Sequence, residues 1–205
     1  QRVEIRHIGE KVNFHLKIPG EFQVSNALIA AALAMSAGVD KADAFAALPE
    51  LVGARGRLEL VGEHNGSAIF IDYSHKPEAL RSALATLRPH AKNKLHVVFG
   101  CGGYRDKGKR PQMGEIASEL ADVVIVTDDN PRTEDAATIR AEILAGAKGA
   151  KEIADRKQAI KDAVKGLQKG DVLLIAGKGH ETYQIIGTTR HHFSDHEVVA
   201  EALKG

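Results

Sequence analysis

A single cysteine, Cys101, is present among the 205 residues of the chain. One thiol cannot form an intramolecular disulfide, and such low cysteine usage is typical of a reducing cytoplasm. No apolar run approaches the ~20 residues that a membrane-spanning helix requires. The N-terminal residues Gln1 to Glu4 contain neither an initiator methionine nor the apolar core of a signal peptide. We therefore expect a cytoplasmic chain that begins partway through a larger protein.

An excess of charge of either sign is also missing. The chain has 28 basic and 27 acidic residues, which gives a formal net charge of +1. Nucleic acids and anionic membranes require an extended positive surface, and the basic stretch from Arg105 to Arg110 is short. We expect neither as a partner. The hydrophobic content of 43% is sufficient for a core, and the length allows one full domain plus part of another.

Three short apolar runs indicate the fold class: His96–Phe99, Val123–Val126 and Val172–Ala176. Runs without polar alternation are typical of strands buried on both faces, and therefore of a parallel sheet. Helical patterns lie between and around them, beginning near Pro77, Pro111 and Ile160 and at a capping box over Ser194–Glu197. The sequence predicts a Rossmann-like α/β domain with a mostly parallel sheet over residues 55–205.

Residues 1–54 are interpreted as the tail of a preceding domain. Alternating residues in Val3–Arg6 and Val12–Leu16 predict two strands, and Asn26–Ala37 and Lys41–Leu48 predict two helices. Because this segment is too short to close a core alone, we expect its packing partners upstream. Beyond a boundary at residues 53–57, the dipeptide Asn65-Gly66 predicts a hairpin turn.

Each of the three buried runs ends in glycines and charged residues. Ligands of open parallel sheets bind beyond the carboxyl ends of the strands, so we expect Arg105 and Arg132 to face Asp129 and Glu181 in one crevice. Such a pocket suits a ligand that carries both signs of charge. Turn formation by Asn130 and Pro131 and close backbone approach at the glycines are the structural alternatives.

Several other functions are disfavoured by spacing. Gly100–Gly103 does not fit the dinucleotide fingerprint, so we do not expect NAD binding. His191, His192 and His196 lack the spacing of a metal site. Cys101 is interpreted as a small buried residue and not as a nucleophile. In Asp72–Pro77, either Asp72 or Ser74 caps the next helix, or Asp72 and His75 contact a ribose or a base.

Five motifs, taken in order, resemble those of the Mur ligases. They are Gly56-Arg57, Asp72–Pro77, Gly100–Pro111, Asp129–Arg132 and Gly177–Glu181, and Pro19–Ala27 is similar to the end of the family's central ATPase domain. The resemblance covers roughly residue 18 to the C-terminus. It implies that residues 1–54 are the C-terminal part of the central ATP-binding α/β domain. Residues 55–205 would be the C-terminal domain that binds the incoming amino acid.

The resemblance implies an ATP-dependent amide ligase of peptidoglycan precursor synthesis that works through an acyl phosphate, with Mg²⁺ as cofactor. The motifs are most similar to those of members that add meso-2,6-diaminopimelate to UDP-N-acetylmuramoyl-L-alanyl-D-glutamate. The resemblance leaves the catalytic residues unassigned. The residues carried over by motif are, for diaminopimelate, Arg105, Asp129, Asn130, Pro131, Arg132, Gly177 and Glu181, and for ATP, Asn26, Arg57, Asp72 and His75.

The sequence departs from the family pattern at two places. Ser74 and Lys76 stand where the family often has Ala and Thr. The chain also has no G-x-x-x-x-G-K-[ST] loop, so we expect the phosphate loop, the Mg²⁺ ligands and the UDP-binding domain upstream, and no ligase activity from this chain alone. The alternatives are another Mur-type or folylpolyglutamate ligase, against which the Asp129–Arg132 motif argues, and a stand-alone module that binds a zwitterionic amino acid. We expect a monomer.

Overall fold

The computed structural model describes residues 1–7 and 10–204, which divide into two compact units, Gln1–Ala54 and Arg55–Gly205. In the first unit, strands β1 (Arg2–His7) and β2 (Glu10–His15) form an antiparallel pair, followed by helices α1 (Glu21–Ser36) and α2 (Lys41–Ala46) and a 3₁₀ turn at Leu48–Glu50.

The first unit has a small core. Phe14, Leu16 and Leu48 are buried in it, whereas Ile29 and Leu33 on α1 are 59% and 66% exposed. Helix α1 starts at Glu21, before the predicted Asn26. The reason is the positive φ of Gly20, 103°, which turns the chain directly after Pro19. The expectation that packing partners lie upstream stays a prediction.

A six-stranded sheet organises the second unit. Its strands are β3 (Glu59–His64), β4 (Ser67–Asp72), β5 (Leu95–Phe99), β6 (Val123–Val126), β7 (Lys151–Glu152) and β8 (Val172–Ala176), in the order β3-β4-β8-β5-β6-β7. The β3–β4 hairpin is antiparallel and every other pair is parallel. The predicted turn is confirmed, because Asn65 and Gly66 both have positive φ. The α/β class with a mostly parallel sheet is likewise confirmed.

Helices cover both faces of this sheet. One apolar cluster joins the strands to α3 (Pro77–Leu87), α4 (Lys109–Leu120) and α5 (Ala136–Leu144), and the other joins them to α6 (Arg156–Lys165) and α7 (Asp195–Ala202). The alternating sides of β5 and β8 contribute to different clusters, as expected of strands buried on both faces. Within the described residues, no helix is long and apolar enough to span a membrane.

Two local predictions were wrong, and one element was missed. Helix α4 begins at Lys109, two residues before Pro111, which occupies the first turn. The capping box at Ser194 does not form, since the Ser194 hydroxyl makes no cap bond and its neighbour Asp195 pairs with Arg156. A second hairpin, β9 (Tyr183–Ile186) with β10 (Thr189–His192), was not predicted from its mixed polar sequence.

Candidate functional site

The loops that follow β4, β5, β6 and β8 enclose a cavity of about 820 Å³ at the carboxyl edge of the sheet. The three charged clusters predicted to converge do so here. Six of the seven residues expected to bind the amino acid line it: Arg105, Asp129, Asn130, Arg132, Gly177 and Glu181. The seventh, Pro131, is buried outside the lining, and its carbonyl oxygen lies 2.0 Å from the point that a Cβ on Gly103 would occupy.

Strand β9 fixes the turn that carries Arg132. The Arg132 N–H donates to the Ile185 carbonyl at 3.0 Å, and the Gly187 N–H donates to the Arg132 carbonyl at 2.7 Å. Arg132 has φ 56°, an uncommon conformation for a residue other than glycine. The Gln184 side chain adds a bond to the Asp129 carbonyl at 2.7 Å. Main-chain pairing therefore holds a strained residue in place at the cavity wall.

A buried lysine links the second and third clusters. Lys178 has no exposed surface, and its Nζ donates to Asn130 Oδ1 at 3.0 Å and lies 3.2 Å from Glu181 Oε2. Asn130 in turn donates through Nδ2 to the same Glu181 oxygen at 3.0 Å and accepts from the Ile185 N–H at 3.0 Å. The motif resemblance had singled out Gly177 and Glu181 but not the lysine between them.

The predicted basic cluster divides into different roles. Arg110 is fully buried, and its guanidinium pairs with both oxygens of Glu134 at 2.8 and 2.9 Å and with Glu142 at 2.6 Å. The hydrogen bond from Arg110 holds the pKa of Glu134 well below its usual range. Lys109 donates to the His75 carbonyl at 2.6 Å. Arg105 is exposed and, among the described residues, makes no ion pair.

Arg132 keeps part of its guanidinium for the cavity. Nη1 donates to the carbonyls of Gly103 and Asn130 at 3.0 and 3.2 Å, and no bond is described for Nε or Nη2. Arg105 and Arg132 are thus the two guanidinium groups of a lining that also contains Asp129 and Glu181, and no described carboxylate pairs with either of them.

The glycine turns serve close backbone approach, as the structural alternative proposed. A Cβ at Gly100 would lie 2.2 Å from the Thr127 carbonyl oxygen, and a Cβ at Gly56 would lie 2.3 Å from the His180 nitrogen. Gly177 has a φ of 112°, and a Cβ on it would lie 2.9 Å from Asp129 Oδ2. Backbone atoms thus leave no room for a side chain at Gly100 and Gly56, and the positive φ disfavours one at Gly177.

An aromatic cluster lies at the neighbouring strand end. The Tyr73 ring is 4.6 Å from the His75 ring and 5.3 Å from the His180 ring, and Arg57 stacks over it at 4.7 Å. Tyr73 and His75 line the cavity, whereas Arg57 and Asp72 do not. This cluster combines flat rings with a guanidinium, a surface on which a nucleobase can stack.

Asp72 supports the loop around it. Its carboxylate accepts from the Leu58 N–H at 2.7 Å, the Ser74 N–H at 2.7 Å and the Ser74 hydroxyl. Neither Asp72 nor Ser74 caps α3, whose N-cap is Lys76, so that structural alternative was wrong. Asn26, the remaining residue predicted to contact ATP, is exposed on α1 of the first unit and donates to Gln23 Oε1 at 3.0 Å.

The interpretation of Cys101 as a small buried residue is confirmed. Its thiol is 3.7 Å from the Met113 sulfur, and burial raises its pKa to about 12. His192 and His196 each contact one carboxylate, Glu197 at 2.7 Å and Glu59 at 2.9 Å. No group of three or more His, Cys, Asp or Glu side chains suited to a metal ion occurs among the described residues.

Comparison with known proteins relates the chain to a family. The Mur ligase, glutamate ligase domain matches residues 56–179. A UDP-N-acetylmuramoyl-L-alanyl-D-glutamate--2,6-diaminopimelate ligase from Bradyrhizobium diazoefficiens is 60% identical over 203 residues, and one from Agrobacterium fabrum is 56% identical over 204 residues. Each match covers 99% of this chain and 42% of the relative.

Solved structures agree with the sequence matches. The structure of an enzyme of the same name superposes with a TM-score of 0.73 at 40% identity and covers 99% of this chain and 42% of that one. The fold is shared by a UDP-N-acetylmuramate-alanine ligase from Thermotoga maritima, which superposes with a TM-score of 0.67 at 22% identity. That match covers 95% of this chain and 39% of the Thermotoga chain. The chain spans 42% of the length of the curated relatives, and it belongs to the Mur ligase family.

Proposed function

We propose that the protein containing this chain is an ATP-dependent ligase that adds meso-2,6-diaminopimelate to UDP-N-acetylmuramoyl-L-alanyl-D-glutamate. In this reaction ATP phosphorylates the acceptor carboxylate, an amine of diaminopimelate attacks the acyl phosphate, and phosphate leaves as the amide forms. Residues 55–205 bind the amino acid. The relatives named for this reaction support the proposal at 60% and 56% identity over 99% of the chain.

The charge pattern of the cavity carries the proposal. Diaminopimelate has two ammonium and two carboxylate groups, and the lining includes the guanidinium groups of Arg105 and Arg132 and the carboxylates of Asp129 and Glu181, beside further charged residues of both signs. Lysine lacks the second carboxylate and would leave one guanidinium without a partner. A guanidinium presents two parallel donors to a carboxylate, which provides both energy and orientation.

The described bonds indicate how each group acts. Arg132 has its Nε and Nη2 edge left for a carboxylate, because Nη1 is bound to main-chain carbonyls. Glu181 uses Oε2 for Asn130 and Lys178, which leaves Oε1 for an ammonium. These residues hold the amino acid so that its remaining amine faces the acyl phosphate.

ATP is proposed to bind partly to the aromatic cluster and partly to the protein upstream of this chain. Tyr73, His75 and Arg57 suit a nucleoside, whereas Asp72 acts through the loop that it fixes. The described residues offer no acidic group of three for Mg²⁺, so we assign the Mg²⁺ ligands and the phosphate loop to the protein outside this chain. We further propose a monomeric enzyme of cytoplasmic peptidoglycan synthesis that supports cell-wall growth, cell shape and division.

Glu181→Gln in the intact ligase tests the proposal. Removing one charge-assisted contact costs roughly 1.5–3 kcal/mol, so we expect KM for diaminopimelate to rise about ten- to a hundredfold while KM for ATP changes little. The measurement is phosphate release at varied concentrations of each substrate. Glu197→Gln, on the exposed surface of α7, is the control. Equal increases in both KM values would instead assign Glu181 a structural role.

A further inference from the structure

Lys178 is the one side chain of the Gly177-Lys178-Gly179 turn, and the turn directs it inward. Gly177 and Gly179 have φ values of 112° and 53°, and a Cβ on Gly179 would lie 2.8 Å from the Tyr73 Cβ. The Glu181 N–H then donates to the Lys178 carbonyl at 2.9 Å, which brings Glu181 back over the lysine. A sharp turn thus carries a long charged side chain into the protein at a strand end.

Burial of this charge requires an explanation. Lys178 is 0% exposed and Glu181 is 15% exposed at the side chain. A buried ammonium is costly unless it is paired and hydrogen-bonded. Here Nζ has two oxygen partners, and the Tyr183 ring centre lies 5.5 Å away. A hydrophobic side chain of this length would fill the same space without that desolvation cost. We therefore infer that the charge of Lys178 has a function beyond packing.

The function of the Lys178 charge follows from the pattern of hydrogen-bond donors and acceptors around Asn130. A lysine ammonium and a backbone N–H can only donate. Because Lys178 Nζ and the Ile185 N–H both face the same side of the Asn130 amide, the amide oxygen must lie there and the NH₂ group must lie on the other side. One N–H of that group bonds Glu181 Oε2. The second N–H is left for the cavity.

Lys178 has a parallel effect on Glu181. By occupying Oε2 together with Asn130, it holds the carboxylate of this lining residue by one oxygen and leaves Oε1 without a described partner. We propose, on the basis of the function proposed above, that Lys178 is a positioning residue for the amino-acid site: with the Ile185 N–H it sets the orientation of the Asn130 amide, and with Asn130 it sets that of the Glu181 carboxylate. It does not touch the amino acid itself.

Lys178→Met in the intact ligase removes the charge and the donors and keeps the length. We expect KM for diaminopimelate to rise at least tenfold, with KM for ATP and kcat within about twofold of wild type. Lys157→Met is the matched control, because it breaks an exposed lysine–glutamate pair with Glu201 at 2.9 Å on another face. A lysine that merely stabilised the fold would not affect the two KM values differently.

A double-mutant cycle with Glu181→Gln tests the route of the effect. If Lys178 acts through Glu181 and Asn130, the double variant should show a smaller increase in KM than the product of the two single increases. Should Lys178→Met fail to fold, the double variant removes both charges and is compared with Glu181→Gln alone. Equal KM values there support the proposal, and a further tenfold increase overturns it.

The results that would overturn the role of Lys178 differ from those that would overturn the proposed function. Unchanged or lower KM for diaminopimelate in Lys178→Met, equal increases in both KM values, or fully multiplicative effects in the cycle would each overturn the role of Lys178. A wild-type enzyme that turns over no diaminopimelate would overturn the proposed function instead.

Discussion

At residue 132 the backbone adopts a conformation that is unfavourable for an arginine. A φ of 56° favours glycine or asparagine, and an arginine there is less stable than in an extended conformation. The bonds to Ile185 and Gly187 hold this conformation. Strain that surrounding structure maintains is found at functional sites, which supports a role for the guanidinium beyond folding.

Arg132→Ala should abolish the preference for diaminopimelate over lysine. A carboxylate left buried without its partner costs about 2–5 kcal/mol, or roughly thirtyfold or more in kcat/KM for diaminopimelate. Lysine has no carboxylate at that place and should lose little, so the selectivity ratio should collapse. The measurement is kcat/KM for both amino acids in the intact ligase.

Arg132→Lys is the matched control, since it keeps the charge but not the two-pronged geometry. We expect intermediate selectivity from it. The stability of both variants, followed by thermal melting, should change modestly, because the main-chain bonds remain. A parallel loss with both amino acids, or outright unfolding, would make Arg132 a scaffold residue.

Single residues of the site differed in how far the sequence could predict them. Arg105, Asp129, Arg132 and Glu181 follow buried strands, and strand ends converge by topology, so their meeting was predictable. Lys178 also follows a strand, but its burial depends on the two positive-φ glycines beside it. Asp72 looked free for a ligand because nothing in the sequence shows that Leu58 and Ser74 donate to it.

Among the elements, β5 and β8 are joined at their opposite, amino-terminal edge by Asp171. Its carboxylate accepts from the N–H groups of Lys94 at 3.0 Å and Gln168 at 2.8 Å and faces His96 Nε2 at 3.1 Å. Burial alone would raise the pKa of Asp171, but these N–H groups and His96 outweigh burial and lower it. This carboxylate is a structural counterpart to the acids at the carboxyl edge.

Asp171→Asn should destabilise the second unit by about 1–3 kcal/mol at pH 7. Each Asp171 oxygen accepts a backbone N–H, so either orientation of an asparagine amide places its NH₂ against a donor. Because the folded pKa lies below the ordinary 3.8, the ionic contribution is present above that value and is lost as the pH falls through the folded pKa.

Urea denaturation of both proteins at pH 7 and pH 3 measures this effect. The difference in unfolding free energy between wild type and Asp171→Asn should narrow at the lower pH. Asp155→Asn, at the exposed N-cap of α6, is the control and should change stability little, because both residues cap well. A difference independent of pH would show that the charge of Asp171 contributes nothing.

The elements themselves were predictable where periodicity was strong. The buried strands and α3 have patterns that allow one interpretation. The β9–β10 hairpin has no such pattern, since Tyr183 to Ile186 is only partly buried and Thr189 to His192 is exposed. The bonds that join β9 to the Asp129–Arg132 turn are tertiary and leave no local signal.

For the molecule as a whole, we predict that the purified 205-residue chain has no ligase activity. Phosphoryl transfer depends on backbone N–H groups, a lysine and Mg²⁺ around the phosphates. The sequence has no phosphate loop, and the described residues offer no metal cluster. Phosphate release from ATP, with acceptor and diaminopimelate present, should equal the enzyme-free background.

The intact ligase at equal concentration is the positive control for that assay, and circular dichroism verifies that the chain is folded. Release that requires both acceptor and diaminopimelate would refute the prediction. Release without diaminopimelate would point to a contaminating ATPase.

The main-chain pairing between the Asp129–Arg132 turn and β9 has a consequence for changing the enzyme's substrate. The bonds at Arg132 use its N–H and carbonyl, groups that any residue except proline possesses. The main-chain bonds of the turn can therefore form with other side chains at this position, apart from proline and the β-branched residues, which the positive φ disfavours. New amino-acid preferences are best sought by randomising position 132 in a library, while Gly177 and Gly103 are left unchanged because backbone or carboxylate atoms occupy the space beside them.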